Sequence, residues 1–353
     1  MISILQPHVP HYREEFFAGI GRFNRINIYC YNLKEAKSEN FFPSNLKVKK
    51  IRNIQFGPFL FYNPFSLFRN KDETLVLMLH FGHLSTWFLL FSKFFHKKKI
   101  ILMGQGISVK RYLQETNKPD FKLKLMISLA DGAWIYTKKE ANQWQKIFPR
   151  KSIIALSNTI SGVESILEFT HVQTKENLKK QYRIGQSTCF IFCARFTNNY
   201  RRIDLMIELI EKLDSKKFGF IIIGDGKLKP DFSSYSNVYD FGSVYDQSLK
   251  DDLFTVADFY LQPGWIGLSI VEALAYGKPV LTFKRSEHTL QCVEYYYLKH
   301  KINGLIFENI QDALCQIENL DDYFQNQMSI NAREYVRKNL LMKNMIDQAN
   351  SII

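Results

Sequence analysis

Short, almost continuous apolar runs recur along the chain. They alternate with longer stretches in which apolar positions return every three or four residues. The runs suit parallel strands buried on both faces, and the longer stretches suit amphipathic helices. In the first half, residues 2–6, 25–31, 74–79, 99–103 and 132–136 are predicted as strands, with helices over 13–22, 84–95, 122–129 and 138–146 between them. The second half repeats the style, with strands over 188–194, 218–223, 238–241, 259–261 and 279–282. Each half therefore reads as α/β, and the tail over 321–353 reads as helical.

At 353 residues the chain is too long for one ordinary core. The strand pattern lapses near 160–185, where the polar stretch HVQTKENLKKQYRIGQ precedes a strong new strand. The expected organisation is a Rossmann-like acceptor-binding domain over 1–170 and a second such domain over 171–335. A terminal helix over 336–353 is expected to pack back across one of them. Two doubly wound halves of similar size point to a site in a cleft at the carboxyl ends of their strands.

Composition narrows the class. Hydrophobic residues at 46% and charged residues at 23% exclude a disordered chain. Five scattered cysteines show no metal-ligand spacing and suit a reduced, cytoplasmic compartment. The opening MISILQPHVP lacks the basic start of a signal peptide. The longest apolar stretch, 84–95, is too short to span a bilayer and is interrupted by Lys93.

Charge is lopsided. Residues 1–170 hold 25 Lys+Arg against 12 Asp+Glu, whereas 171–353 hold 22 of each, so the first half carries the whole net charge of +13. That asymmetry points to an anionic partner. In the same half, FGPFLFYNPFSLF (56–68) and the stretch 87–95 followed by HKKK combine aromatics with cations, as peripheral membrane segments do. An ordinary aromatic core under surface lysines fits that pattern equally well.

The second half carries the candidate chemistry. After the strand CFIFCA come Arg195 and a polar loop containing Arg201 and Arg202, which then enters a helix. A strand that ends in a cationic loop before a helix suits phosphates, because guanidinium forks and backbone N–H groups converge there. Next is a buried strand ending in Gly224-Asp225-Gly226. Further on, the glycine-rich GWIG leads into SIVEALAYG, where Glu272 has almost no polar face of its own and needs a partner. A ligand hydroxyl is one such partner.

The ordered set of Arg195 and Arg201, GDG at 224–226, DFGSV at 240–244, PGWIGLSIVEALAYGKPV at 263–280 and NGLIF at 303–307 resembles GT-B glycosyltransferases of family 4, the group 1 glycosyl transferases. The likeness continues into PHYREEFF, HFGHLSTW, MGQG, ADGAWIYTKKEANQW and LSNTI of the first half, and covers roughly nine-tenths of the chain in the expected order. The resemblance implies a fold of two Rossmann-like domains facing a central cleft. Arg195 and Arg201 match the residues that hold the donor diphosphate, with Arg202 competing for the second place. Gly224 and Gly226 lie in the donor loop. Gly242 and Val244 match backbone facing the base, Glu272 the carboxylate on the ribose hydroxyls, and Gly267, Leu268 and Ser269 the helix start beside the phosphates. His11, Arg13, His80, Gln105 and Glu294 are candidates for the acceptor or the cleft.

Two places depart from the family pattern. Gly264 stands where a first glutamate is frequent, and Gln105 where a histidine is frequent; glutamine hydrogen-bonds but transfers no proton. The implied activity is sugar transfer from a nucleoside diphosphate sugar, the co-substrate, to a hydroxyl of a glycan or lipid-linked acceptor. The resemblance implies retention and no metal or other cofactor. The expected place is cytoplasmic, peripheral on the inner face of the cell membrane, in surface polysaccharide or glycolipid synthesis. Competing readings are an inactive nucleotide-sugar-binding or scaffold protein, and an epimerase working on the donor without an acceptor. Nucleic-acid binding explains the charge but none of the second-half motifs.

Overall fold

The computed structural model describes residues 1–33 and 46–353. Two compact units emerge, one of residues 1–162 with 341–353 and one of residues 163–340. The division thus falls at 162/163 rather than at 170. The short helix Val163–Glu168 packs on Ser269–Ala275 of the second unit, and Arg333 of that unit donates to the Leu167 carbonyl. Polar composition marks where a chain leaves one core; packing decides where it joins the next.

The first unit is built on β1 (Ile2–Gln6), β2 (Ile26–Cys30), β3 (Val48–Lys50), β6 (Thr74–Met78), β7 (Lys99–Gly104), β8 (Gly132–Ile135) and β9 (Ser152–Ala155). All pairings are parallel, in the order β3-β2-β1-β6-β7-β8-β9. A separate antiparallel hairpin, β4 (Asn53–Phe56) with β5 (Phe59–Tyr62), stands outside this sheet. Central strands are buried along nearly all their length, with Lys99 exposed at the start of β7, which is why they read as apolar runs. β3, β9 and the hairpin escaped the sequence reading, their strands being partly or wholly exposed.

The helix expected over 84–95 is two helices, Leu84–Phe91 and Lys93–His96. Ser92 separates them, its hydroxyl donating to the Phe88 carbonyl at 2.7 Å and so competing with the helical ladder. The tail is likewise two helices, Asp322–Asn339 and Met342–Asn350. The second of these returns to the helix Glu14–Phe23 of the first unit.

The second unit has β10 (Thr188–Cys193), β11 (Phe218–Ile223), β12 (Val238–Asp240), β13 (Phe259–Leu261), β14 (Val280–Phe283) and β15 (Gly304–Phe307), parallel throughout in the order β12-β11-β10-β13-β14-β15. Phe190, Phe218, Phe220 and Phe259 stack across three neighbouring strands with centroids 5.1–5.9 Å apart, the aromatic centre of its core. The order reverses direction between β10 and β13. Such a switch point opens a crevice at the carboxyl ends of the two strands.

Candidate functional site

The loops that leave β10 and β13 meet at this switch point. The Gly264 N–H donates to the Arg201 carbonyl at 3.1 Å, and a Cβ on Gly264 would lie 2.4 Å from the Tyr200 carbonyl oxygen. Glycine at 264 is therefore what lets the two backbones touch. The GDG loop joins them from β11. Gly224 and Gly226 have φ of 144° and 147°, and a Cβ on either would strike the carbonyl of Ala194 or Phe196. The Phe196 N–H donates to the Asp225 carbonyl, while the Gly224 N–H donates to the Gly242 carbonyl at 2.7 Å, tying in the loop after β12. Val244, two residues on, is half-buried.

Two buried amides set the loop after β13. Gln262 Nε2 donates to the carbonyls of Gly264 and Trp265, and its Oε1 receives the hydroxyls of Tyr260 and Ser269. Gln291 accepts from the Ile266 N–H and donates to Thr282 and the Phe283 carbonyl. Together they hold Trp265 at φ 56°, a left-handed conformation costly for a bulky side chain. Trp265 also stacks on Tyr200, ring centroids 4.7 Å apart.

Arg201 has Nε shielded from water and without a hydrogen-bond partner. Its pKa is lowered, chiefly because burial disfavours the charge, with Arg195 adding repulsion and Tyr260 and Cys292 acting the other way. A guanidinium left short of partners beside a second cation is prepared for an anion. Arg195 is exposed nearby. Arg202 has different surroundings. It chelates Asp204, donates to Thr289 Oγ1 at 2.7 Å and reaches the His288 carbonyl, and so it braces the loop from within. Geometry thus separates two adjacent arginines that the sequence left in competition, and favours Arg201.

Glu272 does not wait for a ligand hydroxyl as its partner: Lys250 Nζ lies 2.5 Å from its Oε1. Burial opposes the charge on Lys250, but Glu272 and Cys193 outweigh it and raise the pKa. Sequence reasoning missed Lys250, which lies in the polar-looking helix Gln247–Val256 with no motif to mark it. Cys193 lies among all of these groups. Its thiol is pushed up to about 11, first by burial, with Lys250 and Arg201 opposing and Glu272 assisting. Glu294 is buried and joins the same neighbourhood, because it and Arg201 pull the Cys292 thiol in opposite directions.

The helix start at Gly267, Leu268 and Ser269 keeps donors of its own, their three N–H groups having no acceptor among the described residues. The helix Ser269–Ala275 is seven residues long, and its Ile270 and Val271 N–H groups already donate to the carbonyls of Gly267 and Leu268. The Ser269 hydroxyl is committed to Gln262.

In the first unit, His11 is exposed in the turn after β1 and Gln105 is half-buried after β7. Arg13, expected to face a cleft, is buried instead. Its guanidinium donates to Asn158 and to Met345 Sδ and lies 5.5 Å over the Tyr136 ring. His80 and His83 are not isolated, their rings being 4.9 Å apart. Burial lowers the pKa of both, that of His83 to about 4 with His80 contributing.

Against known proteins, residues 187–320 match the family model described as glycosyl transferases group 1. Solved structures agree along the whole chain. HepE of Anabaena, solved with UDP and glucose, matches with a TM-score of 0.66 at 13% identity over 99% of this chain and 98% of that one. These likenesses show the GT-B fold, while the group 1 match is confined to residues 187–320. A glycosyltransferase from Rickettsia africae matches with a TM-score of 0.66 at 14% identity, over 99% and 97% of the two chains. WaaG, a glycosyltransferase involved in lipopolysaccharide biosynthesis, matches with a TM-score of 0.61 at 14% identity, over 100% and 99%. No curated protein matches the chain. The matched segment contains Arg195, Arg201, Lys250 and Glu272, the groups that geometry brings together at the β10/β13 switch point.

Proposed function

We propose that this protein is a group 1 glycosyl transferase that moves a sugar from a nucleoside diphosphate sugar to a hydroxyl of a lipid-linked or membrane-associated glycan, with retention and without a metal. The carrying observation is Arg201, a guanidinium short of partners beside Arg195 at the switch point. The bond from the anomeric carbon to the diphosphate breaks, and its electron pair leaves with the diphosphate. The acceptor oxygen bonds to the same carbon on the same face, and the acceptor proton passes to the departing phosphate oxygen. Charge grows on the diphosphate as this proceeds, and Arg195 and Arg201 are placed in advance to stabilise it. Glu272 takes the ribose hydroxyls, with Lys250 holding its carboxylate in place. The likeness to HepE, solved with UDP and glucose, and to WaaG, involved in lipopolysaccharide biosynthesis, supports a uridine donor and a surface glycan product.

Gly264 favours a second reading, an inactive donor-binding protein, since the Tyr200 backbone excludes any side chain where a sugar-contacting carboxylate is frequent. Thermal stabilisation by UDP-, GDP-, ADP- and dTDP-sugars tests the donor site in wild type, Arg201→Ala and Glu272→Ala. A donor at about 100 times its Kd stabilises by about 2.7 kcal/mol. One nucleotide should raise the wild-type Tm and neither variant's; no response to any donor overturns the assignment. Turnover, or slow donor hydrolysis reduced about 10²–10³-fold in Arg201→Ala, separates the enzyme from the inactive protein.

A further inference from the structure

The hairpin of β4 and β5 has two unlike faces. Leu60 and Tyr62 turn inward; Leu60 N–H donates to the Gly82 carbonyl, and Tyr62 bonds Ser85 and Thr86 of the helix Leu84–Phe91. On the opposite face Ile54 pairs across the strands with Phe61, and Phe56 with Phe59. That face is entirely apolar and is exposed among the described residues, Ile54 at 74% and Phe56 at 79%. The helix Leu84–Phe91, docked on the hairpin, and Lys93–His96, packed on that helix, continue the theme. Phe65 packs against Phe88 at 5.8 Å, both exposed, and Phe91, Phe94 (82%) and Phe95 (77%) project into solvent. Folding leaves a monomer little reason to show so much aromatic surface in one region.

Cations accompany it along the chain. Between residues 46 and 99 there are ten Lys+Arg and two acidic residues. Lys49, Lys50, Arg52, Lys97 and Lys99 are exposed, and Arg69 lies 5.6 Å over the Phe65 ring. Of the two acids, Asp72 is buried and bonded to Ser3 and Asn27, which leaves the surface charge strongly positive. Among the described residues no helix is long and apolar enough to cross a membrane. Exposed aromatic side chains together with exposed Lys and Arg match one surface chemistry, a bilayer whose headgroups are anionic and whose acyl boundary receives the rings.

We infer that the Ile54–Phe56–Phe59–Phe61 face of the hairpin, with Phe91, Phe94 and Phe95, is a docking surface that enters the interface of an anionic lipid bilayer. It goes beyond the transferase reading, because it rests on first-unit residues that take no part in donor binding. Flotation with vesicles of phosphatidylcholine alone, and of phosphatidylcholine with phosphatidylglycerol, tests it at low and high salt. Wild type is compared with I54S/F56S/F61S and, in case the hairpin variant misfolds, with F94S/F95S. The expected result is binding only to phosphatidylglycerol-containing vesicles, weakened by salt and about tenfold lower in each variant at unchanged Tm. Failure of wild type to float, or variants that float equally, overturns the inference. Self-association of wild type that the variants lose, without vesicle binding, overturns it in favour of a second copy on this face. Donor-induced stabilisation is measured on the same samples. Its absence with flotation intact overturns the transferase reading and leaves the docking surface standing.

Discussion

Arg201 and Arg202 are identical in type and adjacent in sequence, yet one is occupied and the other is not. The difference comes from Asp204, Thr289 and His288, which the fold gathers around Arg202. Glu272 was legible as a carboxylate needing a partner, because its helix neighbours are apolar; that the partner is Lys250 was not legible, since the two meet only through tertiary packing. His83 carries the clearest pH consequence. Burial, and then the neighbouring His80, depress its folded pKa to about 4 from an ordinary 6.5. The neutral ring is the folded form, so its contribution is complete above about pH 6.5 and is lost as pH falls towards 4, up to about 3 kcal/mol. Thermal melting should therefore fall more steeply between pH 6.5 and 4 in wild type than in His83→Phe. Parallel slopes would remove His83 from the account.

At the scale of elements, the site is a meeting of loops rather than a motif on one loop. Gly264 illustrates this. The sequence marked it as a missing glutamate, whereas the structure makes it the point where the loops after β10 and β13 touch. In Gly264→Ala the new methyl must displace the Tyr200 carbonyl, and with it the turn that carries Arg201. Donor affinity should fall about tenfold or more, at a stability cost of about 1–3 kcal/mol from overpacking. Calorimetric titration with the donor nucleotide checks it, and an unchanged Kd would show that the turn gives way harmlessly. Long central strands were readable because burial on both faces leaves a continuous apolar signature. β3, β9 and the hairpin were not, because exposed and half-buried positions interrupt that signature, whereas β13, buried throughout, was readable at three residues; β15 also went unread.

At the scale of the whole chain, the terminal segment Leu341–Ile353 closes the first unit rather than the second, to which the preceding helix belongs. Ile346 sits over Gly19, where even a Cβ would lie 2.2 Å from its Cδ1. Met345 is buried against Arg13, and Asn350 accepts from Asn24 at 2.9 Å. Truncation after Leu340 should strip this cover from the helix Glu14–Phe23 and lower Tm markedly, the buried Met345 alone being worth about 2–5 kcal/mol. Differential scanning calorimetry measures the shift; an unchanged Tm would show the segment to be dispensable to that core. The sequence by itself determined the α/β alternation, the two-part organisation, the basic first half and the ordered loop residues, because periodicity, charge and motif spacing are properties of neighbours along the chain. The tertiary structure decided which arginine keeps an open valence, which lysine answers Glu272, which unit takes the tail, and that Phe56 and Phe94 face solvent while Phe190 lies in a core. Those are contacts between residues tens of positions apart, and an apolar side chain reads the same in sequence whether the fold covers it or leaves it bare.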